Sequence, residues 1–569
     1  MESNGITFST KGNTLWRVHI DNNSCPSIIM IPEGIEEIGQ DAFLYCREVK
    51  EVILPASLKK IGYNAFWGCK NIKTIIIPEG VTEIDDYAFS RCDSLCEVTL
   101  PKSIRILNPN AFSWTQEVNV VIHPDNEYYV FQEGLLFDHK KRNLLKCIHR
   151  QKNEISIPDG VETIADKALL YCTGVKRISL PSSLKSIQKE AFGWCENLTE
   201  IVIPNSVTTL DEGAFDHCKN LSRVILPDSI TEIAPRMFCD CQELKAIQLS
   251  KRIKTIKNAA FMNCTSLVSV MIFSEEIEIL EDTFKNCTSL KELTLPPLTK
   301  KIGNRAFFGC SSLTHIYGDF SPIGYCGQKA FNHTPWLSNL INSTEGFVSV
   351  NGILLYSPDQ ETVTIPTTVR IIAGGTFHGQ KKLKQIVIPS SVEAIGPNAF
   401  SACRKLETVT LSKGLKHIER NAFRRCSALK TIRIPDTVEL IDDYAFLGCF
   451  YLSKVVFDGT MVKFGRAVFT KPWREIWTSR LDSEELTNPP TIEVIANRLP
   501  ANIVIKHFGL GAVLGYCRAA LSGVEYLKKD RLIYERYIKR NWNTLQTADE
   551  RYEPVKSYMM GRILSDEYN

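Results

Sequence analysis

The sequence predicts an α/β repeat solenoid built from short parallel strands, and three observations support that class. A pattern of 23 residues recurs, so that residues 51–73 and 74–96 follow the same order of apolar and polar types. Most copies carry a short alternating apolar stretch ended by proline, and most carry an Ala-Phe pair whose second residue serves as a landmark. A solenoid grows by stacking such units and needs no single central core. The 17 landmarks are Phe43, Phe66, Phe89, Phe112, Leu169, Phe192, Phe215, Phe238, Phe261, Phe284, Phe307, Phe331, Phe377, Phe400, Phe423, Phe446 and Phe469.

Within one unit, the residues predict one strand and one helical turn. The triplet Val52-Ile53-Leu54 alternates with a period of two and is rich in β-branched residues, which favours a strand. A proline then ends the strand because it lacks the N–H that a ladder needs. Phe66 and Cys69 are three positions apart, which would place both on one face of a helical turn. We expect each apolar column to pack against its copy in the next unit.

Charge and hydropathy argue against a nucleic-acid partner and against membrane insertion. The 569 residues include 67 basic and 64 acidic side chains, and the net charge of +3 is too small for a long-range field. The apolar stretch at residues 508–516 is too short to span a bilayer. The first 20 residues show neither a basic leader nor the apolar run of a signal peptide. We therefore expect a cytoplasmic protein.

The cysteines follow the repeat. No C-x-x-C pair occurs, so the spacing does not indicate a metal site. Cysteines that recur at one repeat position belong to one packing column, and we predict that they are free, buried thiols acting as small apolar side chains. Of the 19 cysteines, 13 lie three residues after a landmark: Cys46, Cys69, Cys92, Cys172, Cys195, Cys218, Cys241, Cys264, Cys287, Cys310, Cys403, Cys426 and Cys449.

One stretch shows the whole repeat motif. Residues 203–221 follow the pattern I-P-x-x-V-x-x-I/L-x-x-x-A-F-x-x-C-x-x-L. This pattern resembles the BspA-like branch of the leucine-rich repeat family, and the resemblance extends over residues 25–473. It implies a leucine-rich-repeat right-handed superhelix with short parallel strands. Proline stands where the common leucine-rich repeat has a ladder Asn or Cys, so we do not expect a buried Asn ladder.

The repeat is interrupted twice, which divides it into blocks of four, eight and five units. Each interruption has the pattern of two strands joined by a turn, and the N-terminus has a similar pattern. We therefore predict three β-hairpin insertions. After residue 477 the period stops, and a polar stretch with two prolines indicates a linker. Apolar residues at helical spacing then predict a C-terminal helical segment. The predicted order is an N-terminal hairpin cap at 1–24, a first block at 25–115, a hairpin at 116–154, a second block at 155–337, a hairpin at 338–364, a third block at 365–478, a linker at 479–491 and a helical cap or small domain at 492–569.

No residues converge in a pattern typical of catalysis or metal binding. The ten histidines occupy unrelated repeat positions, and neither H-E-x-x-H nor G-x-S-x-G occurs. The acidic pairs at residues 85–86 and 442–443 lie in the same repeated phrase, which is typical of turns and caps. We therefore expect no enzyme activity, no cofactor and no metal.

The best candidate surface is the side of each strand that points away from the core. The middle residue of the triplet and the residue before it form two adjacent columns, one rich in apolar side chains and the other in charged ones. Such a stripe is suited to an extended protein-binding surface. The alternative is that exposed strand positions favour Ile, Val and Thr by β-propensity alone. The candidate binding residues are Glu200, Val202, Arg223, Ile225, Gln248, Met271 and Thr294.

The sequence thus predicts a non-catalytic interaction protein that binds a protein or other macromolecule on the concave strand face. Proteins that resemble this family are often adhesins or host-interaction proteins, so the alternative is a cell-surface adhesin exported without a recognisable signal peptide. The C-terminal segment is either a cap for the last coil or a docking module. The oligomeric state and the identity of the partner stay open.

Overall fold

Two short parallel strands form the frame of each coil in the computed structural model. The first strand overlaps the predicted alternating triplet and begins one residue earlier, as in Glu51–Ile53, and the second follows after the proline turn, as in Lys60–Ile61. The structure describes residues 2–3, 6–20, 27–115, 117–452, 454–458, 462–469 and 493–496. Nineteen first strands occur in these residues, 17 of them before a landmark, and Asn119–Ile122 and Glu493–Ala496 add two that no landmark follows. The chain is a β-solenoid of about 19 turns.

The chain divides into two compact units. One comprises Met1–Pro296 with Gly309–Tyr317, and the other Pro297–Phe308 with Gly318–Asn569. In the first unit, the first strands are Ile28–Met30, Glu51–Ile53, Thr74–Ile76, Glu97–Leu100, Asn119–Ile122, Glu154–Ser156, Arg177–Ser179, Glu200–Val202, Arg223–Ile225, Ala246–Leu249, Ser269–Ile272, Glu292–Thr294 and His315–Tyr317. The second strands are Glu37–Ile38, Lys60–Ile61, Glu83–Ile84, Ile106–Leu107, Thr163–Ile164, Ser186–Ile187, Thr209–Leu210, Glu232–Ile233, Thr255–Ile256 and Glu276–Ile279.

The second unit repeats this arrangement. Its first strands are Thr362–Thr364, Gln385–Ile388, Thr408–Leu411, Thr431–Ile434, Lys454–Phe457 and Glu493–Ala496. Its second strands are Leu298–Ile302, Tyr325–Cys326, Ile371–Ile372, Ala394–Ile395, His417–Ile418, Leu440–Ile441 and Lys463–Phe464. Neighbouring coils pair in parallel and in register, so that Val387 lies beside Thr410 in the first strands and Ile395 lies beside Ile418 in the second.

Within the described ranges, antiparallel strands occur at three places. Ile6–Lys11 pairs with Thr14–Ile20, Tyr129–Gln132 with Leu135–Asp138, and Val348–Val350 with Ile353–Tyr356. At the second place a third strand, Asn143–Cys147, follows, and the short strand Glu2–Ser3 pairs with the first hairpin. The last strand of each set runs parallel to a second strand of the solenoid. Each set therefore starts a new row of second strands.

The predicted helical turn at A-F-x-x-C is wrong. The segment is a succession of tight turns, because the residue two places after the landmark has a left-handed backbone, as in Asn263 with φ of 62°. The landmark N–H also bonds to the next coil and not to its own, as in Phe66 N–H to the carbonyl of Ala88 at 2.8 Å. The bond from Cys69 N–H to the carbonyl of Phe66 keeps the spacing of three, so both side chains still point inward.

The landmark phenylalanines form the centre of the core. Phe215, Phe238 and Phe261 are fully buried, and their ring centroids are 5.5 and 5.4 Å apart in nearly parallel stacks. The predicted cysteine column lies beside them, and 12 of its 13 members are buried while Cys46 is half-buried. All 17 cysteines in the described part of the chain are free thiols, which confirms that prediction for the column.

The ends of the blocks differ from expectation. The single α-helix among the described residues, Pro335–Asn342, was not predicted. Thr334, which replaces the column cysteine there, caps it by accepting a hydrogen bond from Leu337 N–H at 3.3 Å. Glu493–Ala496, placed by prediction in the helical C-terminal segment, is instead a strand parallel to Lys454–Phe457, as its β-branched Val494 and Ile495 favour. The predicted linker at 479–491 and the helices expected after residue 496 lie outside the described residues.

Candidate functional site

The strand face consists of those side chains of the first strands that point away from the core. In Glu200–Val202 and Arg223–Ile225 the burial alternates as exposed, buried, exposed, because successive side chains of a strand point to opposite faces. All seven predicted binding residues are exposed on this face: Glu200, Val202, Arg223, Ile225, Gln248, Met271 and Thr294. The alternation in the triplets was therefore sufficient to locate them.

The register brings some of these residues together in pairs. Val202 lies beside Ile225 and Glu200 beside Arg223, while Gln248 lies beside Met271. Thr294 is paired with Tyr317, an exposed aromatic residue that the sequence analysis did not select. The result is an apolar pair, a mixed pair and a polar–aromatic pair on the same face.

The charges beside this apolar column neutralise each other. Arg223 lies 4.0 Å from Glu200, and Arg177 lies 3.4 Å from Glu154 in the adjacent coils. Such exposed ion pairs contribute little to stability, typically below about 1 kcal/mol. Because of these ion pairs, the central part of the strand face has no net charge.

A longer apolar row lies on the first strands of the N-terminal coils. Met30, Ile53, Ile76 and Val121 are 68, 43, 71 and 41% exposed, and we name them the N-terminal row. Met30 is in register with Ile53, while Thr99 lies between Ile76 and Val121. The side chains therefore succeed one another along five coils.

Ile53 and Ile76 are middle residues of their triplets and so belong to the predicted apolar column, but the predicted binding residues lie further along the chain. Met30 and Val121 were missed, although the same alternation in Ile28–Met30 and Asn119–Ile122 was available to find them. Exposed large apolar side chains that form a row are more informative than single ones, since scattered apolar residues are common on protein surfaces.

One polar cluster brings together groups able to bind a metal. Ligand atoms of Asp216, Cys239 and Asp240 lie within 4.8 Å of one another, and Nδ1 of His217 is 2.8 Å from Oδ1 of Asp216. The guanidinium of Arg236 lies 2.7 Å from Oδ2 of Asp216, which offsets the charge of that buried carboxylate.

The protonated state of the Cys239 thiol fits a structural role. Burial raises the pKa of its thiol, and so does the hydrogen bond that it donates to Oδ2 of Asp240 at 3.1 Å. A metal requires the thiolate, so these contacts oppose binding. The ion pair of Asp216 with Arg236 connects neighbouring coils, while the thiol hydrogen bond lies within one coil.

The geometry defines a leucine-rich-repeat solenoid: coils with stacked parallel strands, continuous Ile, Leu and Phe columns and an exposed strand face. Four stretches of the chain match the family model described as the BspA type leucine rich repeat region, in six copies. They are residues 21–135, 147–268, 232–346 and 349–472, which is well over half of the sequence. The protein therefore belongs to the BspA-type leucine-rich repeat family.

Three solved structures to which this chain is similar come from bacteria. A leucine-rich repeat protein from Bacteroides ovatus is 21% identical and covers 82% of this chain and 98% of its own, with a TM-score of 0.38. One from Eubacterium ventriosum is 22% identical over 54% of this chain and 83% of its own, with a TM-score of 0.41. The pneumococcal vaccine antigen PcpA is 20% identical over 55% and 79%, with a TM-score of 0.39. Curated proteins provide no match to this chain.

No helix within the described ranges is both long and apolar enough to cross a bilayer.

Proposed function

We propose that this protein is a non-catalytic interaction protein whose strand face binds a protein partner, with the N-terminal row as the anchor. The observation that carries the proposal is the succession of exposed apolar side chains Met30, Ile53, Ile76 and Val121 on paired first strands. Binding energy concentrates in buried apolar and aromatic anchors surrounded by polar side chains, and this row offers four anchor positions.

The spacing of the row fits an amphipathic helix lying across the strands. Neighbouring strands are about 4.8 Å apart, so the four steps from Met30 to Val121 span about 19 Å. A helix presents one side chain per turn of about 5.4 Å on a given face, and about 13 residues cover the same length. The partner that matches best is therefore a helix with apolar residues at positions i, i+3 or i+4, and i+7.

Acidic side chains flank the row. Glu51 and Glu97 are exposed in the adjacent column, and neither forms an ion pair with any other residue in the described part of the chain. In the central coils the same column is neutralised by the pairs of Arg177 and Arg223 with glutamates. A helix with Lys or Arg beside its apolar face would thus complement the N-terminal coils, chiefly by accelerating and orienting association.

The test uses the full chain and two triple variants. Met30→Lys, Ile53→Lys and Ile76→Lys together remove the anchor, and Val202→Lys, Ile225→Lys and Met271→Lys change the central positions in the same way. Proteins captured from lysate of the source cell are purified and titrated against each form. We expect one partner whose affinity falls at least about tenfold, or 1.4 kcal/mol, in the N-terminal variant only.

Each alternative outcome has a defined meaning. Loss in the central variant alone would move the anchor to Val202, Ile225 and Met271 on the same face. Equal affinity for all three forms would exclude the strand face as the binding surface. Melting curves of both variants serve as the control for folding, since all six positions are exposed.

We further propose that this role is performed in the cytoplasm. The cysteine thiols act as hydrogen-bond donors inside the solenoid, which requires their reduced form, and a reducing compartment preserves it. Detection of the chain on intact cells by a surface-labelling reagent would favour the adhesin alternative. Recovery in the soluble cell fraction alone would favour an intracellular interaction protein.

A further inference from the structure

A cleft of about 900 Å³ opens at the end of the first block of repeats. Val98 comes nine positions after the landmark Phe89, whereas Val120, which is in register with Val98, comes only eight positions after Phe112. The cleft lies beside this shortened segment, between it and the coil that begins the next block. Its volume is in the range that binding sites for small molecules occupy.

Bulky aromatic residues lie in a strained backbone conformation at this place. Trp114, Tyr171, Trp194 and His217 occupy the left-handed position two residues after the landmark, with φ of 61, 64, 57 and 59°. Some other coils have Gly or Asn there, such as Gly68 and Asn263, while Tyr45 is a further bulky residue at the same position. A left-handed bulky residue costs about 1–2 kcal/mol, and such strain tends to occur where a site requires it.

The four rings form an aromatic ladder. Successive ring centroids are 5.0, 5.7 and 3.9 Å apart, and the last two rings are nearly parallel. Trp114 and Tyr171, at one end of the ladder, line the cleft. The cleft wall therefore contains two adjacent aromatic side chains, of which Trp114 is 48% exposed.

A half-buried arginine lies on the first of these rings. The guanidinium of Arg150 is 5.6 Å from the ring centroid of Trp114, and Nη2 donates to Oγ of Ser113 at 3.4 Å. Among the described residues, no carboxylate lies within ion-pair distance of Arg150. Stacking on Trp114 holds the guanidinium plane in place, with N–H groups left for a ligand.

The other polar side chains that line the cleft are either acidic, opposite in charge to Arg150, or uncharged. Asp93 is 3.0 Å from Lys70, Glu117 is exposed, and Nε2 of Gln151 donates to Thr173 at 3.5 Å. Lys70 neutralises Asp93, and Glu117 balances the charge of Arg150, so the cleft offers no excess positive charge to a phosphate chain or nucleic acid. A purely apolar ligand is not matched either, because it would desolvate these charges.

We propose that this cleft binds a carbohydrate. A sugar ring has an apolar C–H face that packs against Trp or Tyr, and hydroxyl groups that donate and accept hydrogen bonds in fixed directions. Arg150, Gln151, Glu117 and Asp93 offer planar groups that can pair with neighbouring hydroxyls. The cleft and the N-terminal row are separate surfaces, so this proposal stands independently of the strand-face partner.

The test measures binding of the full-length protein to an array of neutral and acidic oligosaccharides, followed by calorimetric titration with the retained glycans. Trp114→Gly removes the aromatic ring and accepts the left-handed backbone, and Arg150→Gln removes the cation. The matched controls are Tyr45→Gly and Arg47→Gln, because Tyr45 also has a left-handed backbone and Arg47 lies 5.3 Å from its ring, outside the cleft lining.

We expect at least one glycan to bind, with its affinity reduced about tenfold or more by Trp114→Gly and by Arg150→Gln and unchanged within about twofold by both controls. The glycan should also change the tryptophan fluorescence of the wild type and not of Trp114→Gly. Absence of any retained glycan at millimolar concentration would overturn the proposal. Equal affinity of Trp114→Gly and wild type would overturn it as well.

Discussion

The thiol of Cys264 donates a hydrogen bond to the backbone carbonyl of Phe238 in the preceding coil, with 3.0 Å between sulfur and oxygen. Ten further column cysteines contact the corresponding carbonyl of the coil before them at 2.9–3.2 Å: Cys69, Cys92, Cys195, Cys218, Cys241, Cys287, Cys310, Cys403, Cys426 and Cys449. Burial raises the pKa of the Cys264 thiol, so the proton needed for donation is retained. Each thiol is a second donor to a carbonyl that also accepts a backbone N–H of its own turn, as Phe238 does from Cys241 N–H at 3.2 Å, so the column links neighbouring coils.

Replacing Cys264 tests this thiol ladder. Cys264→Ala removes one of the two donors to the carbonyl of Phe238, which keeps its bond from Cys241 N–H, so the lost hydrogen bond should cost about 0.5–1.5 kcal/mol. Cys264→Ser keeps a donor of similar size, so we expect a smaller loss in the free energy of unfolding measured with urea. If Ser destabilises more than Ala does, the cysteine contributes through packing and not through its hydrogen bond.

Phe238 is the second test of the core. Its ring is fully buried and stacked on Phe215 and Phe261, so Phe238→Ala should lose about 3–5 kcal/mol through the cavity that it leaves. Ile225→Ala serves as the control, because Ile225 is 41% exposed and should change the stability far less. The measurement is the midpoint of thermal unfolding in reducing buffer. An unchanged midpoint for Phe238→Ala would contradict the role of the stack.

The landmark period and the cysteine spacing were sufficient to predict the solenoid and its core columns. They could not distinguish a helical turn from the observed turns, because both place residues i and i+3 on one face. The deciding feature is the left-handed residue two places after the landmark, and Trp194 and Tyr171 are among the types least expected there. The second strands were missed because most are two residues long and have one apolar residue, such as Ile61, that points inward.

The candidate surfaces were predictable to different degrees. The exposure of Val202, Ile225 and Met271 followed from alternation alone. The cleft depends on a one-residue deletion between Phe112 and Val120. The effect of this deletion becomes visible only when the neighbouring coils are stacked in register. Nothing local in the sequence indicated that Arg150 would lie on Trp114, since 36 positions separate them and the intervening strands bring them together.

The buried Lys146 should make the stability depend on pH. Its side chain donates to Oδ1 of Asn110 and to the carbonyl of Lys167, both at 2.9 Å, and no carboxylate pairs with it among the described residues. Burial, with the nearby charge of Arg150, lowers the pKa of Lys146 from 10.5 to about 8. The unfolded chain therefore binds more protons between these two values, and stability rises with pH across that window by about 3 kcal/mol.

Comparison with Lys146→Met isolates this effect. The variant has no charge to bury, so the difference in unfolding free energy between it and the wild type should shift by about 3 kcal/mol, toward the wild type, between pH 7.5 and 10.5. The exposed Lys102→Met variant is the control, with an expected difference that is independent of pH. Parallel curves for wild type and Lys146→Met would show that Lys146 is not buried as a cation.

Glu419 should make the stability fall as the pH rises, which is the opposite of the effect of Lys146 and occurs at lower pH. It is half-buried, and burial together with the neighbouring Asp442 raises the pKa of its carboxyl from 4.5 to about 7, an effect that Lys301 partly offsets. Between these values the folded protein binds more protons than the unfolded chain, so stability falls as pH rises. Above pH 7 the penalty reaches about 3 kcal/mol. Glu419→Gln removes the charge and retains the shape of the side chain.

The wild type and Glu419→Gln should thus unfold at the same denaturant concentration near pH 4. At pH 8, Glu419→Gln should be the more stable of the two by up to about 3 kcal/mol. The exposed Glu345→Gln variant, measured in parallel, controls for the loss of one negative charge and should show a flat difference. A midpoint for Glu419→Gln that follows the wild type across the whole range would mean that the carboxylate is hydrated. In that case the desolvation ascribed to its position beside Asp442 would be wrong.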